Sequence, residues 1–411
     1  MRKYWKSIFL ITFIVVVVGI FYIKADTVSN SFAQFKFEKK EGNDAAVEEL
    51  VVNGDMLNGM FSYEPFRIDN QGTTYLRDES FIKRLSGVYP DMYIERLQKE
   101  HRKFMRGKVE EPKSYYEDEN VLAYGATPYE FWTADNFKFD IAVLDKKTND
   151  TVSFSLPIPN RADYWYVEPY GVLLDGKELS IITVNEATNN AMVESVSAQA
   201  HIYTFDIEKE QLINEEIIGS LDYTDDSEGY SDYSIFKDGD SVIIAGLNIT
   251  PVEYDEELEY DEEPEYYEEV GELTKLYIYN IKNKDVEEIS ISEKEDIGIP
   301  ISKDGDQLYF ANVKNNQLSL STLNTKTKKV TDTLEIDDIK SYMSIDEIQQ
   351  AEVKNGKWYF VPSTQNIEGF TPIIVVDLSS LSLDYIGQIV NTKPPENNET
   401  SEIYFNFLEL K

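Results

Sequence analysis

Ser302-Lys303-Asp304-Gly305-Asp306-Gln307-Leu308-Tyr309-Phe310-Ala311, followed by Leu318-Ser319-Leu320-Ser321-Thr322-Leu323-Asn324 and Thr325-Lys326-Thr327-Lys328-Lys329, holds the architecture in miniature. Asp-Gly supplies the positive φ that a tight hairpin needs, so the first stretch reads as strand, turn, strand. The second is a short apolar run capped by Asn, and the third is a polar turn before another strand.

The same pair of signals recurs along the chain. Asp175-Gly176 leads into Leu179-Ser180-Ile181-Ile182, Asp238-Gly239 into Val242-Ile243-Ile244, and Asn355-Gly356 into Trp358-Tyr359-Phe360. The capped runs return as Ile141-Ala142-Val143-Leu144-Asp145, Ile202-Tyr203-Thr204-Phe205-Asp206, Leu276-Tyr277-Ile278-Tyr279-Asn280 and Ile373-Ile374-Val375-Val376-Asp377. Four antiparallel strands per unit, at a period of roughly 45–65 residues, predict an all-β β-propeller of six or seven four-stranded blades, with seven slightly favoured. A pair of β-sandwiches is the alternative. Ser302 to Phe310 resembles the Ser-Pro-Asp-Gly turn of TolB-like extracytoplasmic propellers, without its proline. The resemblance implies a fold and no activity.

Asn70-Gln71-Gly72 reads as a further turn, and Ile403-Tyr404-Phe405-Asn406-Phe407 as a strand that closes the ring by pairing the chain ends. Residues 78–107 break the pattern. Met92 to Glu100 has helical spacing within the most basic stretch after the N-terminus, predicting an amphipathic helix on the propeller's side or a docking surface for acidic groups.

The N-terminus reads Met-Arg-Lys-Tyr-Trp-Lys, then an uncharged run from Ser7 to Ile23. Charged side chains are costly in hydrocarbon, so this run predicts a transmembrane signal-anchor helix with Arg2, Lys3 and Lys6 inside. The expected organisation is a cytoplasmic tail at 1–6, a membrane helix at 7–23, a stalk at 24–46 and an extracytoplasmic propeller at 47–411. A cleaved signal peptide is the competing reading, with Ser31-Phe32-Ala33 as a small-x-small site. The absence of cysteine in an exported chain fits a Gram-positive-like bacterium.

Of 411 residues, 76 are Asp or Glu and 39 Lys or Arg, for a net charge of −37. Such a chain repels phosphate backbones, which argues against nucleic-acid binding. The missing cysteine excludes thiolate metal sites, and His101 and His201 leave little material for histidine chemistry. No phosphate loop or Gly-x-Ser-x-Gly elbow is evident.

Blade spacings place two insertions, 185–199 and 253–272, between equivalent strands, hence on one face, where repeat proteins often bind. The second is a run of acids with tyrosines. Asp255, Glu256, Glu259, Asp261 and Glu262 are its candidate metal ligands, for calcium. Tyr254, Tyr260, Tyr266 and Tyr267 are candidate contacts for a cationic peptide or protein partner. A simple solvated loop is the plainer reading. Asp163-Tyr164-Trp165-Tyr166-Val167-Glu168-Pro169-Tyr170 mixes aromatics with acids as sugar sites do, or else is a packed inner strand. The expected function is a membrane-anchored extracytoplasmic sensor, receptor or accessory subunit without catalysis. The alternative is an envelope carbohydrate-active hydrolase or lyase on the same scaffold.

Overall fold

The computed structural model describes residues 32–58, 62–85, 87–128, 138–187, 197–222, 230–238, 241–252, 268–289, 298–314, 317–336, 351–361, 371–393 and 401–411, with Phe9, Thr12, Phe13 and Val16 near the N-terminus. Two compact units result, 1–90 with 350–411 and 91–349.

The first unit opens with β1 (Gln34–Gly42), β2 (Leu50–Asn58), β3 (Ser62–Asp69) and β4 (Gly72–Tyr75), then the helical turn α1 (Phe81–Arg84). The second unit begins with helices α2 (Met92–Glu100) and α3 (Arg102–Met105). Four antiparallel meanders follow. They are β5 (Tyr115–Glu117), β6 (Val121–Ala126), β7 (Lys138–Asp145) and β8 (Thr151–Pro157); then β9 (Tyr164–Asp175), β10 (Glu178–Ala187), β11 (Ser197–Asp206) and β12 (Gln211–Asp222). Next come β13 (Tyr230–Asp238), β14 (Ser241–Val252), β15 (Glu268–Asn280) and β16 (Asp285–Glu288); then β17 (Ile299–Asp304), β18 (Gln307–Lys314), β19 (Gln317–Asn324) and β20 (Lys329–Ile336). The chain returns to the first unit as β21 (Glu352–Lys354), β22 (Lys357–Phe360), β23 (Thr371–Asp377), β24 (Ser382–Lys393) and β25 (Ser401–Leu410).

The described strands form six sheets, each a blade-like meander, which supports a β-propeller. The chain ends are spliced into two of them. C-terminal β25 pairs with β2 to complete the sheet β25-β2-β3-β4, and N-terminal β1 pairs with β24 as a fifth strand on β21–β24. The terminal strand thus completes the N-terminal sheet, the pairing of chain ends expected of Ile403–Phe407, and the described residues hold six such sheets, the lower of the two expected numbers. Residues 34–42, expected within a stalk, are integral to the fold.

The repeated signals map onto two kinds of turn. Gly176 and Gly305 each open a two-residue loop with φ of +57° and +56°, conformations that glycine adopts without a Cβ penalty. The capping Asx residue ends the third strand of each sheet and folds its side chain back onto the turn. Asp69, Asp145, Asp206, Asn280, Asn324 and Asp377 each accept a backbone N–H two or three residues on. In five of these turns the residue four positions later is left-handed: Asn149, Glu210, Lys284, Lys328 and Leu381.

The middle strands carry continuous apolar runs because both faces are covered. Ile181 joins Ala123, Phe139, Ile141 and Tyr203 between the β5–β8 and β9–β12 sheets. Its neighbour Ile182 turns the other way, joining Ala200, Val242 and Ile244 towards β13–β16. The fourth strand β16 faces solvent instead and is exposed along its whole length. β24 is the contrast: β1 covers its edge, and Tyr385 and Ile389 are buried in the core of the first unit.

Asp91 caps α2, its carboxylate accepting from the backbone N–H groups of Tyr93 and Ile94. Ile94 and Leu97 from α2 and Phe104 and Met105 from α3 pack on Leu122, Tyr124, Ala142 and Leu144. The helices thus cover the face of the β5–β8 sheet opposite its β9–β12 partner, and α2 is the amphipathic helix the spacing of Met92–Glu100 predicts.

No helix among the described residues is long and apolar enough to cross a membrane. Most of the expected span at 7–23 lies outside the described residues; Phe9, Thr12, Phe13 and Val16 within it are helical.

Candidate functional site

The third-to-fourth strand connections of every sheet are short, and in the five sheets other than β25-β2-β3-β4 the first-to-second connections are short and share their end. Connections from second to third strand leave the opposite end and vary in length: 59–61, 127–137, 188–196, 253–267, 315–316 and 361–370. Both predicted insertions are of this class. They are shorter than expected, because Asn185–Ala187 and Ser197–Gln199 belong to β10 and β11, and Glu268–Glu272 pair with Val252–Asn248 across β15 and β14. Tyr254, Asp255, Glu256, Glu259, Tyr260, Asp261, Glu262, Tyr266 and Tyr267 lie outside the described residues.

At this variable end the second unit assembles a different group, centred on β9. Two register shifts interrupt β9. Pairing passes from Gly171 to Pro169 and from Tyr166 to Tyr164, leaving Tyr170 and Trp165 out of the ladder. Bulges re-aim side chains. Trp165 is 54% exposed and stacks on Tyr166 at 5.5 Å. Tyr170 lies under the Lys113 ammonium, 5.0 Å from its ring centre. Lys113 comes from a 3-10 turn, Pro112–Ser114, that packs on β9, and its Nζ pairs with Glu168 and approaches Glu111 at 3.7 Å.

Lys113 and Tyr170 of this group also line a cavity of about 300 Å³, with Tyr115, Tyr116, Leu173 and Ile235, among others. Three first strands, β5, β9 and β13, contribute to it. Their sheet-edge backbone and tyrosines make its wall amphipathic. Glu186, at the end of β10 opposite Tyr166, has its carboxyl pKa raised by burial and then by the Glu168 charge. The Tyr166 phenol is raised by burial and by Glu168, Glu111 and Glu186. The arrangement therefore sets one buffered lysine and an exposed indole among three carboxyl groups, a surface suited to a cationic ligand.

A buried polar pocket lies beside it on the β10–β11 face. His201 is fully buried, stacked on Tyr203 at 5.5 Å, with Nε2 3.1 Å from Gln199 Oε1. Nδ1 finds no hydrogen-bond partner and lies 3.4 Å from Glu215 Oε1. Asn185 donates to the Tyr203 hydroxyl at 2.8 Å and accepts from Thr183 at 2.6 Å. Burial lowers the His201 pKa to about 4, so it is a neutral structural imidazole.

His101 ends α2 beside Glu100 and Glu117, a set with metal-ligand spacing. Its carboxylates are already occupied. Arg96 bonds both Glu117 oxygens and Glu100 at 3.0 Å, and Lys146 bonds Glu117 at 2.6 Å. Burial raises the Glu117 pKa, but the two cations outweigh it and the net shift is downward. This is a network that pins α2 to the sheet.

Sequence reasoning named the aromatic–acid stretch of β9 but missed Lys113 and Glu186. Neither stands in a motif; strand pairing and a 3-10 turn bring them there.

No family model matches the sequence, and no curated protein matches it. Among solved structures, the chain is similar to Pyrococcus horikoshii acylaminoacyl peptidase, at 15% identity over 84% of this chain and 45% of that one, with a TM-score of 0.32. It therefore spans less than half of that peptidase. It is also similar to the β-propeller domain of the Trilobed protease from Pyrococcus furiosus, at 12% identity over 89% and 99%, TM-score 0.23. A third is the Dos1 propeller, at 10% identity over 71% and 78%, TM-score 0.27. The propeller reading of this chain rests on its own sheet topology.

Proposed function

We propose that the chain is a membrane-anchored extracytoplasmic binding protein on a six-bladed β-propeller, acting as a sensor, receptor or accessory subunit. The observation that carries the binding role is the bulged strand β9. It presents Trp165 and Tyr166 near Glu168, Glu186 and Glu111 at the variable end of its sheet, and its Tyr170, under Lys113, lines a cavity of about 300 Å³. The ligand is a cationic group on a peptide or protein, drawn by a chain of net charge −37. The uncharged run Ser7–Ile23 supports the anchor, and Phe9, Phe13 and Val16 within it are helical and exposed.

Titration with trilysine at low salt should change the fluorescence of Trp165, and Trp165→Phe should abolish the change. No response in the native chain, or a response that survives Trp165→Phe, would remove this site.

One observation favours the second reading, a carbohydrate-active enzyme: the raised Glu186 carboxyl beside Glu168, two acids in different environments. Release of reducing ends from wall polysaccharide, lost in Glu186→Gln, would establish it.

A further inference from the structure

The first unit exposes an apolar ridge unrelated to the β9 site. Backbone bonds from Arg84 N to Ser80 O at 3.1 Å and from Gly87 N to Arg84 O at 3.3 Å continue the α1 turn. Phe81 and Leu85 thereby stand one helical turn apart, with Val88 beyond them, at 57%, 70% and 51% exposure. Three such side chains in one short stretch leave apolar surface that water solvates poorly.

Two further observations say what covers it. The first is charge. Between Arg77 and Val88 the basic residues Arg77, Lys83 and Arg84 outnumber Asp78 and Glu79, in a chain of net charge −37. Arg77 pairs with Glu64 and Lys83 with Glu79, so the ridge is close to neutral where most of the chain is strongly acidic. An anionic surface can approach here with little repulsion.

The second is position. α1 packs on the 3-10 turn Leu76–Asp78, and Arg77 from that turn lies over the Phe32 ring at 4.6 Å. Tyr75 holds the same point, its hydroxyl donating to Ala33 O at 2.7 Å. Phe32 follows the uncharged run by nine residues, a distance of about 30 Å at full extension. A ridge rooted there is tethered to whatever the run enters, and a tether turns weak surface contact into an intramolecular event.

We propose that Phe81, Leu85 and Val88 rest in the headgroup–acyl boundary of the membrane beside the insertion point of the Ser7–Ile23 run. The proposal rests on the anchored reading above. It makes the ridge a second contact that restricts the first unit's orientation over the bilayer.

The chain has no cysteine, so single-cysteine labelling needs no background removal. The full chain is reconstituted in vesicles of phosphatidylcholine and phosphatidylglycerol carrying a doxyl-lipid quencher, with an environment-sensitive dye at Leu85→Cys, Ile14→Cys or Glu210→Cys. The expected result is quenching at 85 at least half as deep as at 14, with none at 210. Quenching at 14 without quenching at 85 overturns the ridge proposal and leaves the anchor standing. No quenching at 14 overturns the anchor and the ridge proposal with it. Equal quenching at 85 and 210 reports indiscriminate adsorption and also overturns the proposal.

Discussion

Acid should destabilise the β9–β12 sheet through His201. The imidazole is fully buried and its pKa falls from an ordinary 6.5 to about 4 because burial disfavours the charged form. Above pH 6.5 the ring is neutral in both folded and unfolded chains, and its stabilising contribution is intact. As pH falls towards 4 the unfolded chain takes up a proton that the folded one refuses, and that contribution is lost. At 1.36 kcal/mol per pKa unit, the loss is about 3 kcal/mol by pH 4. The facing groups are Tyr164, Tyr203, Gln199 and Glu215, and only Glu215 favours the imidazolium, so the figure is an upper bound. Histidine-labelled NMR is unusually clean here, since the chain has only two histidines. The His201 resonance should remain that of a neutral ring at pH 5. Urea unfolding of the native chain and of His201→Gln between pH 7.5 and 4 should show the difference moving by up to that amount in the variant's favour. The protonation of the other carboxylates cancels in this comparison. A pH-independent difference, or a native chain that gains on the variant in acid, would refute the reasoning; the second outcome would mean that an imidazolium–Glu215 pair forms.

Three other expectations concern the scaffold. Glu210→Gly should stabilise by roughly 1 kcal/mol, because Glu210 sits at φ +52° and a left-handed non-glycine residue carries a strain that glycine relieves; thermal melts would measure it against Glu210→Ala. Gly42→Ala should cost about 1–3 kcal/mol from backbone strain alone, since φ is +93° and a Cβ would fall 2.2 Å from Asp384 O; accelerated proteolysis within β1 would report it. Deleting 253–272 should lower the melting temperature more than deleting 253–267, because only the longer deletion removes the Glu268–Glu272 rungs of β15; equal effects would contradict the register.

The turns explain why so much of the fold was legible. Asp304-Gly305 and Asn324 act within a few residues of themselves, through a positive φ and a side chain bonded to its own turn, so the sequence records them directly. Asp69 performs the same Asx role, but in a shorter turn that no apolar run announces. The choice between six and seven blades stayed open for a non-local reason: Ile403–Phe407 reads as a closing strand, but its register on β2, some 350 residues earlier, is written nowhere near it. The site was half legible on the same principle. Trp165 and Glu168 are neighbours on one strand, while Glu186 and Lys113 arrive by pairing and by the Pro112–Ser114 turn.

The ladder between β1 and β24 has a mechanical consequence. A chain held at its N-terminus transmits load first into Gln34–Gly42, which is an edge strand, and only then into β2 at the centre of its sheet. Force along β1 strains all its rungs together, and force across it parts them one by one. Peeled by force across it, β1 frees up to about 30 Å of contour while β2, β3, β4 and β25 stay paired. The strand is thus a fuse. In a pulling experiment from the N-terminus, a first extension step of that size, preceding any larger one, is its signature.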